Sequence, residues 1–244
     1  SAEETLRRIT EESKRVLEEI TKKYEDLERE SREVLRKLRE DLDRIKRELE
    51  DVLTKGKDDK DEVLTVLEKV LDELLKLHRE NLRVIKELLR KVLEVDRENL
   101  EVLKRLLEKA RDLLRRSGRD EKDLKKLEDE LRKVKEELEK KHEKSKRDIE
   151  DLERELDKVT EEVERLLRKL KEELRRAAEN SDEDRERLAR LLKKLADKLI
   201  RVLEEILKIN EELNRKIIKF ARENLERNRR VNKKVIEVLR EAAR

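Results

Sequence analysis

Residues 210–214, with the sequence NEELN, are followed 18 positions later by residues 228–232, with the sequence NRRVN, so the same pair of asparagines recurs along one segment. Eighteen residues make five turns at about 3.6 residues per turn, so the second pair returns to the face of the first. The other long segments repeat polar residues at the same offset: Ser13 and Ser31, His78-Asn81 and Asp96-Asn99, His142 and Thr160. This repeat predicts long helices with two equivalent layers of buried polar groups, about 27 Å apart at about 1.5 Å of rise per residue.

The composition favours the same interpretation. Of 244 residues, 56% are Asp, Glu, Lys or Arg, two are Gly, and none is Pro, Cys, Met or Trp. Such a composition is typical of coiled coils and long helices, and it excludes a mixed or β fold. Without cysteine the chain has no disulfides, thiolate chemistry or cysteine zinc sites. The net charge of +3 comes from signs that alternate along the chain, which does not indicate a nucleic-acid footprint.

Three breaks interrupt the helical pattern, at 55–59, 117–120 and 180–182. Each helix start carries an N-cap residue three positions before a carboxylate: Ser1 with Glu4, Asp59 with Glu62, Asp120 with Asp123, Ser181 with Asp184. The predicted helices span about 2–54, 60–116, 121–179 and 183–243. Since such short loops force antiparallel neighbours, we expect an all-α fold: one long antiparallel up-down-up-down four-helix bundle over residues 1–244, coiled-coil-like.

The apolar residues step by three or four along every segment, as a buried helical stripe does. The stripes of the first and third segments are narrow, whereas the second and fourth carry apolar doublets such as Leu88-Leu89 and Ile217-Ile218. If the loops set the register, facing residues have numbers that sum to about 114 for helices 1 and 2, about 236 for helices 2 and 3, and about 244 for helices 1 and 4.

This register sorts the polar residues on the stripes into two layers. One layer contains Thr10, Ser13, Asp96, Asn99, His142, Ser145, Asn228 and Asn232, and the other contains Ser31, His78, Asn81, Thr160, Asn210 and Asn214. A buried polar group without a partner costs about 1 to 3 kcal/mol, so we expect these side chains to bond one another. Such layers penalise a helix that slides or pairs wrongly, which makes fold or pairing specificity their expected role.

The sequence gives no constellation for catalysis or metal binding. His78 and His142 fall in different layers, so they do not ligate one metal together, and a single His with Asp and amides is not a zinc or iron set. We interpret them as structural histidines, with a pH-sensitive role as the alternative. Asp96 is expected to contact His142 and Asn99. An Asp-His dyad here lacks a nucleophile with an oxyanion hole, so we predict no enzyme, no cofactor and no metal.

The same residues argue against two classes of partner. The stretch 222–234 is locally basic, but it has no interleaved aromatic residues, so nucleic-acid binding is not predicted. No apolar run approaches the roughly 18 residues of a membrane span, the start SAEE is not a signal peptide, and Phe220 is the one Trp or Phe anchor for a membrane surface. We expect a soluble chain, and the sequence indicates no compartment.

The phrases DRENL at 96–100 and HRENL at 78–82, the absent Pro and Cys, and the Glu, Lys and Arg on nearly all exposed positions resemble computationally designed helical bundles with modular buried hydrogen-bond networks. That family includes single-chain four-helix bundles, heterodimer components and cage-and-latch switches. The resemblance covers the whole chain. It implies a structural scaffold, monomeric and without natural biochemical activity. The alternative it leaves open is a binding or switch module, in which a terminal helix pairs with, or is displaced by, a partner helix, or in which two copies form a homodimer.

Overall fold

The computed structural model describes residues 2–55, 59–116, 118–179 and 185–243. Within these ranges the regular structure is entirely helical, and the four helices pack against one another, so the predicted all-α four-helix bundle is confirmed. The helices are α1 (Ala2–Lys55), α2 (Lys60–Arg115), α3 (Glu121–Glu179) and α4 (Arg185–Ala243). None of them, in the described ranges, has an 18-residue window apolar enough to cross a membrane.

The helix ends follow the local signals of the sequence. The Asp59 carboxylate accepts a hydrogen bond of 3.4 Å from the backbone N–H of Glu62, which caps the first turn of α2. Beyond the end of α2, Gly118 adopts a φ of 69°, a left-handed conformation that costs glycine little. The cap signals at Ser1 and Ser181, the third break and the expected start of α4 at 183 lie outside the described residues.

The contacts divide the chain into two compact units, and every helix contributes residues to both. Unit 1 comprises Ser1–Glu30, Leu88–Asp151 and Ile217–Arg244. Unit 2 comprises Ser31–Glu87 and Leu152–Lys216. Each unit has an apolar core of its own, with Leu103, Leu114 and Leu239 fully buried in unit 1 and Leu49 and Leu67 fully buried in unit 2. Since full burial of a leucine contributes about 1.5 to 3 kcal/mol, these cores are the main source of stability.

Ion pairs across the α2/α3 groove define its register. Lys86 pairs with Asp157 at 2.5 Å in unit 2, and Lys104 pairs with Glu139 at 3.3 Å in unit 1. The two pairs are offset by 18 residues on both helices, and their residue numbers have the same sum, 243, as antiparallel neighbours require. These side chains are substantially exposed, so each pair contributes at most about 1 kcal/mol and chiefly favours one helix order.

The other neighbouring helices repeat this arrangement. Within each helix pair the sum of residue numbers is again constant: Glu12–Lys109 and Glu30–Lys91 for α1/α2, Lys216–Glu155 and Lys198–Glu173 for α3/α4, Lys46–Glu204 and Arg222–Glu28 for α1/α4. The 18-residue repeat of the sequence therefore extends to the surface charges of both units. Neighbouring helices run antiparallel throughout.

Candidate functional site

The polar residues on the apolar stripes are the candidate site, and the units separate them as the two expected layers do. The eight residues of the first layer all belong to unit 1, and the six of the second all belong to unit 2. Those that are buried below a tenth of their surface are Ser13, Asp96, Asn99, Ser145, Asn228 and Asn232 in unit 1, and Ser31, His78, Asn81 and Asn210 in unit 2.

In unit 1, Ser13 of α1 and Asn232 of α4 form a reciprocal pair. The Ser13 hydroxyl donates to Asn232 Oδ1 at 2.7 Å, and Asn232 Nδ2 donates to the Ser13 backbone carbonyl at 2.9 Å. The carbonyl accepts this bond in addition to its place in the helix, because an oxygen has two lone pairs. The residue numbers sum to 245, close to the sum of about 244 that the register predicts for these helices.

Asp96 of α2 is the buried charge of unit 1, only 6% exposed. His142 Nδ1 of α3 lies 2.6 Å from Asp96 Oδ2, as the sequence predicts, and the Tyr24 hydroxyl of α1 donates to Asp96 Oδ1 at 3.3 Å. Burial raises the pKa of the Tyr24 phenol far above its ordinary value, and the Asp96 carboxylate raises it further. The amide of Asn99 and the charge of Arg227 oppose that rise. Asp96 thus keeps both carboxylate oxygens hydrogen-bonded, which a buried carboxylate requires.

Ser145, three residues after His142 on α3, bonds to α4. Its hydroxyl donates to Asn224 Oδ1 at 3.4 Å and accepts a bond of 3.3 Å from the Arg227 guanidinium. In a catalytic triad the serine hydroxyl is hydrogen-bonded to the histidine that the aspartate orients. Here the hydroxyl of Ser145 is directed to an amide, so the sequence Asp96, His142, Ser145 lacks the geometry of an activated nucleophile.

The remaining polar residues of unit 1 depart from the expected network. The Thr10 hydroxyl bonds the carbonyl of Leu6 in its own helix at 2.9 Å, which removes it from any contact across helices. The amide nitrogens of Asn99, Asn224 and Asn228 are buried without a hydrogen-bond partner among the described residues. Each such donor costs about 1 to 3 kcal/mol, so the polar cluster of unit 1 is incompletely satisfied.

Unit 2 repeats the α1/α4 pair with the donor turned round. Asn214 Nδ2 donates to both the hydroxyl and the backbone carbonyl of Ser31, each at 2.7 Å, and the residue numbers again sum to 245. A second bond joins α2 to α4, since Asn81 Nδ2 donates to Asn210 Oδ1 at 2.6 Å. The equivalent residues of unit 1, Asn99 and Asn228, carry the unpaired amide nitrogens. The same residue types therefore give a closed bond in one unit and open donors in the other.

The expected contact between His78 and Thr160 in unit 2 is not formed through their side chains. The Thr160 hydroxyl bonds the carbonyl of Leu156 at 2.6 Å, four residues earlier in α3. Neither ring nitrogen of His78, which is 2% exposed, reaches hydrogen-bond geometry with a described residue. Burial holds the pKa of His78 below its ordinary value, while the Glu164 carboxylate and the Thr160 backbone act in the opposite direction and Arg79 lowers it further. The imidazole is thus held in its neutral form.

Sequence reasoning missed three members of the unit 1 cluster: Tyr24, Asn224 and Arg227. Tyr24 lies on an apolar stripe, where an aromatic ring is equally well explained as core. The positions 18 residues away from these three are occupied by Leu42, Ile206 and Ile209, respectively. A polar or charged residue whose repeat equivalent is apolar is therefore the signal that marks all three.

No metal site accompanies these clusters: in the part of the chain that the structure describes, no three His, Asp or Glu side chains are placed to hold an ion. A comparison with models of protein families gives no match for this chain, and a comparison with curated proteins gives none either. The argument on function therefore rests on the geometry of the polar clusters and of the helix surfaces.

Proposed function

We propose that this chain is a structural scaffold of the designed helical-bundle kind, with no biochemical activity of its own, whose buried polar clusters specify which helices pair and in which register. The observation that carries the proposal is the α1/α4 contact. Ser13 with Asn232 and Ser31 with Asn214 form side-chain and carbonyl bonds at the same register, 18 residues apart. A helix displaced by one turn would place these groups against leucine and leave them unpaired.

The covered apolar surface supports a self-contained scaffold over a module that waits for a partner helix. Among the described residues the large apolar side chains that remain exposed are Leu166 at 47% and Leu191 at 39%, one on α3 and one on α4. Scattered single residues of this kind are normal on a monomer, whereas a partner site needs a contiguous apolar patch. The displacement of a terminal helix by a partner helix stays a competing proposal, which the same experiment addresses.

The test replaces Asn81, Asn99, Asn210 and Asn228 together by Leu. Removing both partners of a buried bond is close to neutral for stability, and removing unpaired amides is favourable, so the helical signal and the denaturation midpoint are expected to stay equal or rise. Specificity is expected to fall, visible as additional amide cross-peaks in NMR spectra and as species of higher mass in light scattering after size exclusion. The unaltered chain should give one set of peaks and the mass of a monomer.

The matched control changes four buried apolar residues without touching a polar group, by Leu→Ile at Leu67, Leu74, Leu103 and Leu106, each at most 2% exposed. It should retain one set of peaks. A quadruple Asn→Leu variant that also keeps one conformation and one mass would refute the proposal. An unaltered chain that gives a dimer, or that binds an added peptide of residues 185–243, would favour the partner-helix alternative instead.

A further inference from the structure

A groove between α3 and α4 in unit 1 has a charge unlike the rest of the surface. It encloses about 390 Å³, and three apolar side chains, Val134, Leu138 and Val231, form its floor. Val134 and Leu138 belong to the apolar core of the unit, so the floor is continuous with a packed interior. Volumes of about 300 to 1,000 Å³ are typical of small-molecule sites, which combine an apolar lining with a few polar groups.

Five cations line this groove: Lys133, Lys141, Arg227, Arg230 and Lys234. They face two carboxylates, Glu130 and Glu137, which leaves an excess of three positive charges. Lys141 pairs with Glu137 at 2.8 Å, and Arg227 donates to a serine hydroxyl. The cations also hold the pKa of Glu137 below its ordinary value, with the bond from Lys141 as the largest cause. Within the described residues no carboxylate pairs with Lys133, Arg230 or Lys234.

The 18-residue repeat shows that this charge is a local departure from the pattern of the chain. On α3 the equivalents of Lys133 and Lys141 are Asp151 and Val159. Each difference makes the unit 1 groove more positive, whereas Glu137 and its equivalent, Glu155, are the same residue.

The departures on α4 have the same sign. The equivalents of Arg227 and Arg230 are Ile209 and Glu212, while Lys234 matches Lys216. Counting the seven charged groove positions, the repeat equivalents hold four carboxylates and one cation, a net charge of minus three, against plus three in the groove. Four changes that all add positive charge around one apolar floor distinguish this groove from the alternating charges elsewhere.

We propose that this groove is a binding site for a small organic anion that combines an apolar body with sulfonate, phosphate or carboxylate groups. The floor matches the apolar body, and Arg227 and Arg230 present guanidinium groups, which bind such acids in a bidentate manner. The excess positive field concentrates anions at the groove. The groove has no aromatic side chain on which a base would stack, so a nucleic acid fits it less well. This inference goes beyond the proposed scaffold role.

The experiment uses the full chain and the fluorescent probe 1-anilinonaphthalene-8-sulfonate, titrated at low ionic strength and again at about 0.5 M salt. We expect saturable binding at one site per chain, weakened by salt. The variant Lys133→Asp with Arg230→Glu gives both positions the residue type of their repeat equivalents and should weaken binding about tenfold or more. The control Lys194→Asp with Lys208→Glu makes the same change in net charge at exposed α4 positions in unit 2 and should bind as the unaltered chain does.

Circular dichroism and the denaturation midpoint establish that each variant is folded before binding is compared. If the charge reversal disturbs folding, Lys133→Gln with Arg230→Gln removes the charge without adding carboxylates and should still weaken binding. No saturable binding to the unaltered chain, or equal binding to the groove variant and the unaltered chain, would overturn the proposal. Equal weakening in the control variant would also overturn it, because the probe would then respond to net charge alone.

Discussion

Two asparagines of α2 allow the energetic role of the polar clusters to be measured with a matched pair of substitutions. Asn81 and Asn99 are repeat equivalents, both buried, and both are replaced by Leu. Asn81 Nδ2 donates to Asn210 Oδ1 at 2.6 Å, whereas Asn99 Nδ2 has no partner among the described residues. Because the same side chain is removed and the same one is introduced, the transfer and packing contributions largely cancel in the comparison.

The difference between the two variants then reports the hydrogen bond. Asn99→Leu removes a buried unpaired donor, which is expected to raise the free energy of unfolding by about 1 to 3 kcal/mol. Asn81→Leu removes a formed bond and leaves Asn210 Oδ1 without its donor, which is expected to cost about 1 to 3 kcal/mol. The two variants should therefore differ by about 2 to 6 kcal/mol, with Asn99→Leu the more stable.

Equilibrium denaturation in guanidinium, followed by circular dichroism, measures this difference. With a slope of about 4 kcal/mol per molar guanidinium, the midpoints should be separated by about 0.5 M or more. The double variant Asn81→Leu with Asn210→Leu is the control, since it removes both partners and should return close to the midpoint of the unaltered chain. Equal midpoints for the two single variants, or a higher midpoint for Asn81→Leu, would refute the reasoning.

Two further predictions concern titration. Tyr24, the single tyrosine of the chain, has a pKa raised by burial and by Asp96, so phenolate absorbance should not develop near the ordinary value of about 10, and Asp96→Asn should move its onset to lower pH. A transition of the folded chain near pH 10 would contradict this. The buried His78 has a lowered pKa, so its contribution to stability is complete above about pH 6.5 and is lost as the pH falls below that value. The denaturation midpoint should fall between about pH 7.5 and pH 5.5, and less so for His78→Leu; an equal fall in both would exclude His78 as a cause.

The fold could be predicted from the sequence because its determinants are local and repeated. The glycines and the Asp59 cap define the described helix ends to within a residue or two, and apolar residues at helical spacing define the buried faces. The α1/α4 register was also accessible, since Ser13 and Asn232 are polar residues on apolar stripes at matching heights. For α1 and α2 the expected sum of about 114 was wrong, because Tyr24 and Asp96 sum to 120. A long tyrosine side chain reaches along the helix by about a turn.

The bonds inside the clusters could not be predicted, because they depend on side-chain choices that residue type leaves open. Thr10 and Thr160 were expected to bond across helices, but a threonine hydroxyl in a helix can reach the carbonyl four residues back, and both do so. An asparagine amide in a tight core forms only the bonds that neighbouring rotamers permit, which is why Asn81 is paired and Asn99 is not. These differences amount to an ångström or less and leave no trace in the spacing of the sequence.

The departures from the repeat resolve an ambiguity that the repeat itself creates. A perfect 18-residue repeat would let one helix slide by five turns and find equivalent partners again. In this chain such a slide would carry Asp96 into the place of His78, where Thr160 and Leu42 replace His142 and Tyr24 as neighbours. A buried carboxylate that loses its hydrogen-bonding partners costs about 3 to 5 kcal/mol. The repeated asparagines thus exclude slips of a single turn, and the unrepeated Tyr24, Asp96 and His142 exclude the slip of one full repeat.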